Sequence, residues 1–164
     1  MLLTPVIHDI GWFLSVLGLA MFIPAAADWF VANPDWQVFV ATGAGTAFVG
    51  SALVLATRGT SLNISVRQGF LLTTGSWIMV CVFGALPFTF SAQLPLNYAD
   101  AFFETMSGLT TTGSTVISGL DQLPPGILLW RGLLQWFGGI GIIVMAVAMF
   151  PMLKVGGMQL FQME

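Results

Sequence analysis

The residues of this chain best suited to chemistry form one run: Thr110, Thr111, Thr112, Gly113, Ser114 and Thr115. β-Branched threonines favour extended backbone and glycine accepts a positive φ closed to most residues, so successive carbonyls here can be turned toward one axis. A row of carbonyls aimed in this way can replace the hydration shell of a potassium ion. The run lies between two hydrophobic stretches of membrane length. Irregular backbone at that depth survives only where it is buried in protein or lines a wet cavity. Thr111, Thr112, Gly113 and Ser114, with Thr110 and Thr115 flanking them, are therefore the candidate K+ ligands. The competing reading is a helix C-terminus at Gly108 followed by a polar loop; the full-length spans on both sides favour the ion path.

The element that must position this turn precedes it. Ala99 to Leu109 would form a helix about 16 Å long, about half of a hydrocarbon core of about 30 Å, so it dips into a membrane without crossing. It enters after Pro95. Asp100 and Glu104 fall in its first turns, where acids complement the positive helix end, so capping is their expected role and concentrating cations a weaker second one. Its other end aims partial negative charge at the membrane interior, which favours cations over anions.

Composition sets the class: 57% hydrophobic and 7% charged residues describe a chain whose solvent is mostly lipid. The expected fold is an all-α, polytopic membrane protein, in which a two-helix hairpin is followed by one helix/pore-helix/helix unit with a re-entrant filter loop. Hydropathy draws four long segments, Ile10 to Ala27, Gln37 to Ala56, Phe70 to Phe90 and about Leu128 to Leu153. The first two flank a turn containing Asp28, Asn33, Pro34 and Asp35 and make the hairpin, residues 1–66. Residues 67–164 make the pore unit, whose last helix is expected to close at Lys154. The first run lacks a basic leader and an obvious cleavage site, so a signal peptide is not expected.

Arg58 and Arg67 share the second connection and Lys154 follows the last span, so these three lie on one side if the odd connections lie opposite. By the positive-inside rule that side is the cytoplasm, with the N-terminus cytoplasmic as well. Asp28, Asp35, Asp100, Glu104 and Asp121 then fall on or toward the outer side, where an acidic face would enrich cations. Arg131 breaks the pattern and is expected to snorkel or to pair with Asp121 or Glu104. Gly132, Gly138, Gly139 and Gly141 would let the last helix pack closely on its neighbours.

Other chemistry is poorly supported. No basic run with interleaved aromatics suggests nucleic acid. His8 is the single histidine and precedes the first expected span, no nucleophile and base are paired, and Cys81 reads as a small buried hydrophobe, so the chain is not expected to be an enzyme.

Three stretches carry a resemblance to a known family: FFETMSGLTTTGSTV at 102–116, LWRGLLQWFGGIGIIVMAVAMFPML at 129–153 and KVGGMQLFQME at 154–164. With the preceding spans they resemble the amino-terminal part of the TrkH/KtrB potassium transporters, the TrkH branch in particular. The resemblance implies a bacterial inner-membrane protein for potassium uptake, with K+ as the transported ion. Four helix/pore-helix/helix units would surround one pathway behind two additional N-terminal helices. Gly113 would be the central filter glycine of the first unit. Ser114 and Thr115 stand where stricter potassium channels carry an aromatic and a second glycine, which leaves fewer rigid supports and puts high selectivity over sodium in doubt. Implied partners are the lipid bilayer, a second copy in a homodimer of the full protein, and a cytoplasmic TrkA-type nucleotide-binding regulatory subunit.

One unit supplies one wall of a pore. Further repeats of the same chain, or other copies of it, must supply the rest. The alternative to transport is a structural helical membrane subunit, or an isolated fragment with no transport of its own.

Overall fold

The computed structural model describes residues 3–59, 65–94 and 96–157, the side chains of 66 and of 148–157 excepted. In chain order it contains α1 (Thr4–Ala20), α2 (Phe22–Phe30), α3 (Trp36–Ala56), α4 (Val66–Gly84), α5 (Leu86–Phe90) and α6 (Tyr98–Leu109). A 3-10 turn (Leu120–Gln122) and α7 (Pro125–Gly157) complete it. No strand occurs among the described residues. Four helical stretches are long and apolar enough to cross a membrane: Thr4–Phe30, Trp36–Ala56, Arg67–Phe90 and Pro125–Val147.

Prolines place two breaks that hydropathy alone does not show. Pro24 lacks an N–H and its ring crowds the carbonyl four residues back, and the first span is interrupted at Met21 between α1 and α2. Pro87 acts likewise on the third span, where Ala85 separates α4 from α5. Polar caps start α4 and α6. At α6, Asn97 Oδ1 accepts from the Asp100 N–H at 2.9 Å while Asn97 Nδ2 donates to Asp100 Oδ2 at 2.7 Å. Such a cap contributes about 1 kcal/mol. At α4, Ser65 and Gln68 exchange bonds in a capping box.

The hairpin closes on small residues. A Cβ built at Gly18 would stand 2.5 Å from the Ala47 nitrogen, and one at Gly50 would stand 2.5 Å from the Ser15 nitrogen, so α1 and α3 approach backbone to backbone. At one end of this pair His8 Nδ1 and Thr57 Oγ1 lie 2.9 Å apart. His8 thus lies inside the first span, tied to α3, rather than ahead of it.

A buried cluster joins α3 to α5 and α7 through Phe39, Phe88, Ile127, Trp130 and Leu134. Phe39 meets Trp130 edge-on, with ring centroids 6.4 Å apart, and Trp130 Nε1 donates to the Gly84 carbonyl at 3.0 Å. Two aspartates of the hairpin add polar ties. Asp28 Oδ1 accepts from the Gly126 N–H at 2.8 Å and so caps α7 from another helix; its Oδ2 is buried with no hydrogen-bond partner among the described residues. Asp35 accepts from the Ser91 hydroxyl, and from the Ala92 N–H at 3.2 Å, at the end of α5.

These ties revise the acidic outer face. Asp28, Asp35 and Glu104 are buried, at 0%, 1% and 1% exposure, and their oxygens accept internal bonds instead of meeting solvent cations. The last helix also differs from its expected limits. It begins at Pro125 and runs 33 residues to Gly157, about 50 Å, so Lys154 lies within it and does not close it. Pro95, the expected entry to the half-helix, falls outside the described residues.

Candidate functional site

The half-helix ends at Leu109, as its length requires, and the chain turns back on the helix end. The N–H groups of Thr110, Thr111, Thr112 and Gly113 donate to the carbonyls of Met106 (2.8 Å), Gly108 (2.9 Å), Ser107 (3.0 Å) and Ser107 again (3.2 Å). Thr111 and Gly113 have φ of 57° and 77°. With Thr110 as C-cap, left-handed Thr111 and its neighbour Thr112 make the two bonds of a Schellman helix end, to Gly108 and Ser107, and the Gly113 N–H adds a second donor to the Ser107 oxygen. Glycine tolerates it; a β-branched threonine does not, and Thr111 stores about 1–2 kcal/mol of strain that the surrounding bonds hold in place.

In a planar trans peptide the C=O points opposite the N–H. With the N–H groups of Thr111, Thr112 and Gly113 drawn to α6, the carbonyls of Thr110, Thr111 and Thr112 point away from it. Among the described residues nothing donates to these three oxygens or to that of Gly113. Residues 110–116 are solvent-exposed in this chain. The carbonyls of Thr110, Thr111 and Thr112 are thus bare on the side away from α6, and the peptide dipoles of the turn prolong the negative end of that helix. Ser114 differs, because its carbonyl accepts from the Ser107 hydroxyl at 2.6 Å and is turned toward the helix. Thr110 Oγ1 bonds the Met106 carbonyl at 2.9 Å and Thr112 Oγ1 at 2.8 Å, which stiffens the turn.

The outgoing strand is held by a residue whose expected role was different. Glu104 is not a cap; the Asn97–Asp100 pair is. Instead Glu104 Oε2 accepts from Thr115 Oγ1 at 3.0 Å and from the Val116 N–H at 3.1 Å. Its Oε1 takes the Arg131 Nε–H in an ion pair. A carboxylate this buried requires such donors. Arg131 therefore pairs with Glu104 and not with Asp121, the other acid expected to compete for it.

Of Gly132, Gly138, Gly139 and Gly141, the glycines expected to pack the last helix, Gly138 alone makes a backbone approach: a Cβ there would overlap the Leu109 carbonyl, at the point where the half-helix ends. Gly132 and Gly139 have open space around them and Gly141 is 4.0 Å from Trp77. Gln135 reaches the turn, its Nε2 lying 3.8 Å from where a Gly113 Cβ would be. Cys81 is buried, its thiol 3.6 Å from Met106 Sδ beneath the half-helix. No group of three or more His, Cys, Asp or Glu able to hold a metal occurs among the described residues.

Comparison with known proteins places this geometry. The TrkH family model, described as cation transport protein, matches residues 35–164. The Trk system potassium uptake protein TrkH of Halomonas elongata is 40% identical over 164 residues, covering 100% of this chain and 34% of that protein. TrkH of Escherichia coli K12 is 43% identical over 155 residues, or 94% of this chain and 32% of that one. The crystal structure of the potassium transporter TrkH from Vibrio parahaemolyticus superposes with a TM-score of 0.88 at 39% identity, covering 96% of this chain and 34% of that one. The chain spans about a third of the length of the relatives it matches. With its four helical stretches long and apolar enough to cross a membrane and a family match over most of its length, this polytopic membrane chain belongs to the TrkH cation transport family.

Proposed function

We propose that this chain supplies one wall of a potassium pathway in an uptake system of the bacterial cytoplasmic membrane. The observation that carries the reading is the orientation of the turn: its N–H groups are spent on the end of α6, the carbonyls of Thr110, Thr111 and Thr112 point away from that helix, and these and the Gly113 carbonyl have no donor among the described residues. A dehydrating cation needs such carbonyls, and an anion would be repelled by them. The names of the relatives, potassium uptake proteins, support K+ as the cargo.

On this reading residues 1–66 are an accessory hairpin and 67–164 the first of several helix/pore-helix/helix repeats that close the pathway together. The N-terminus is cytoplasmic, the full protein is a homodimer, and a TrkA-type nucleotide-binding subunit regulates it from the cytoplasm. Ser114 takes part through its fixed position more than through its carbonyl, which is already engaged by Ser107. The test is growth of a potassium-uptake-deficient bacterium on limiting K+ when the full-length protein is supplied. Rescue, with rubidium accumulation above the empty vector, is expected. Its absence despite normal membrane insertion overturns the assignment.

A further inference from the structure

We propose that Glu104, held by Arg131, is the positioning residue that sets the ion preference of this wall. The inference rests on the function proposed above. Two facts on the page lead to it. First, residues 110–113 are secured on the incoming side by four N–H bonds to α6, whereas on the outgoing side Ser114 is fixed by Ser107 and Thr115 and Val116 by Glu104 alone. Second, the turn lacks the bulky aromatic and second glycine that would otherwise rigidify it, since Ser114 and Thr115 stand in those places.

Glu104 is suited to the task by reach and by charge. It projects from the middle of α6, is 1% exposed, and uses its two oxygens in opposite directions, one toward the turn and one toward α7. Arg131 neutralises it, so the pair adds little net field at the turn and acts through geometry. A carbonyl wall distinguishes K+ from Na+ only while its oxygens resist closing on the smaller ion. Releasing Thr115 and Val116 leaves the Ser107–Ser114 bond as the remaining tie on the outgoing side, which gives the Gly113 carbonyl just before it more freedom to follow a sodium ion inward.

The experiment compares K+ and Na+ uptake by the full-length protein carrying Glu104→Gln, Glu104→Asp, Arg131→Gln or Arg131→Lys, with membrane abundance measured alongside. Gln keeps length and loses charge; Asp keeps charge and loses reach. Every one of these breaks part of the clamp, and the K+/Na+ ratio is expected to fall by about tenfold for Glu104→Gln, the scale of one lost charge-assisted hydrogen bond. Asp121→Asn, which removes an exposed acid nearby, should leave the ratio alone. If Glu104 acted by its field, Glu104→Gln and Arg131→Gln would shift cation affinity in opposite directions; the clamp predicts that both lower the ratio. Opposite shifts, or an unchanged ratio in a variant present at wild-type abundance, overturn the proposal. If Glu104→Gln fails to reach the membrane, Arg131→Lys decides, because lysine keeps the charge but cannot present Nε in the same plane. A wild-type protein with no K+ uptake would refute the proposed function; normal wild-type uptake with insensitive variants refutes this inference alone.

Discussion

Gly113 and Gly119 offer a matched pair for testing whether the turn works by its backbone. Their φ values are 77° and 73°, nearly the same excursion into the left-handed region. A Cβ at Gly119 would meet nothing within 4 Å, and one at Gly113 would meet only Gln135 Nε2 at 3.8 Å, an ordinary contact. Alanine at either position therefore costs about 1–2 kcal/mol through backbone strain, with no steric addition. The two substitutions should lower thermal stability in detergent by similar amounts. Their effects on transport should part. Relieving the strain at 113 means rotating toward negative φ, which swings the peptide planes on either side and re-aims the carbonyls of Thr112 and Gly113. At 1.4 kcal/mol per factor of ten, the intact turn would lose about tenfold in population, and K+ uptake should fall to match. Serine at 113 carries the same strain and should behave alike. Rubidium uptake and the K+/Na+ ratio in cells carrying the full-length protein are the measurements. Equal transport by the 113 and 119 variants, at equal thermal stability, would refute the claim that bare carbonyls at Gly113 form the ion path.

Gly138→Ala should be the most damaging single methyl group in the pore unit, because it overlaps the Leu109 carbonyl and forces α6 and α7 apart; about 3 kcal/mol or more is expected, read as lost yield and lower melting temperature. Gly139→Ala, with open space around it in this chain, is the control within the same helix. Asp28→Ala removes the cap on Gly126 at about 1 kcal/mol, whereas Asp28→Asn keeps an acceptor for that N–H, removes a buried charge and should lose less stability in thermal unfolding. Cys81→Ala should leave K+ uptake unchanged, since the thiol touches Met106 Sδ and no residue of the turn.

Much of the architecture was legible because the signals are local. The half-helix follows from its short length before a threonine run, although its Asn97 cap starts it at Tyr98 instead of Ala99, and the spans follow from hydropathy between breakers. Even the breaks at Met21 and Ala85 could have been read, since Pro24 and Pro87 sit where a helix interior cannot hold them. The partners of buried charges were harder, because they lie far along the chain. Asp28 finds Gly126 at a separation of 98 residues and Asp35 finds Ala92 at 57, and no periodicity records such pairings. Glu104 looked like an acid in a first turn until its burial showed that it must have donors; the pairing with Arg131 was legible, the grip on Val116 was not. Gly138 could not be told from Gly132, Gly139 and Gly141 by type, since only the crossing point of α6 selects it. Thr111 is the least readable residue, for a threonine gives no warning that it will adopt positive φ.

The two aspartates of the hairpin imply an order of assembly. A membrane chain is made from its N-terminus, so α1 to α3 are in place before α7 exists. Until then the Asp28 and Asp35 carboxylates keep their water, and they stand as acceptors awaiting donors. The arrival of Gly126 and of Ser91 and Ala92 desolvates them and latches both shoulders of the pore unit to a frame that was built first. The hairpin therefore acts as a jig as well as an anchor, and the alignment of α6 and α7 is inherited from helices built before them.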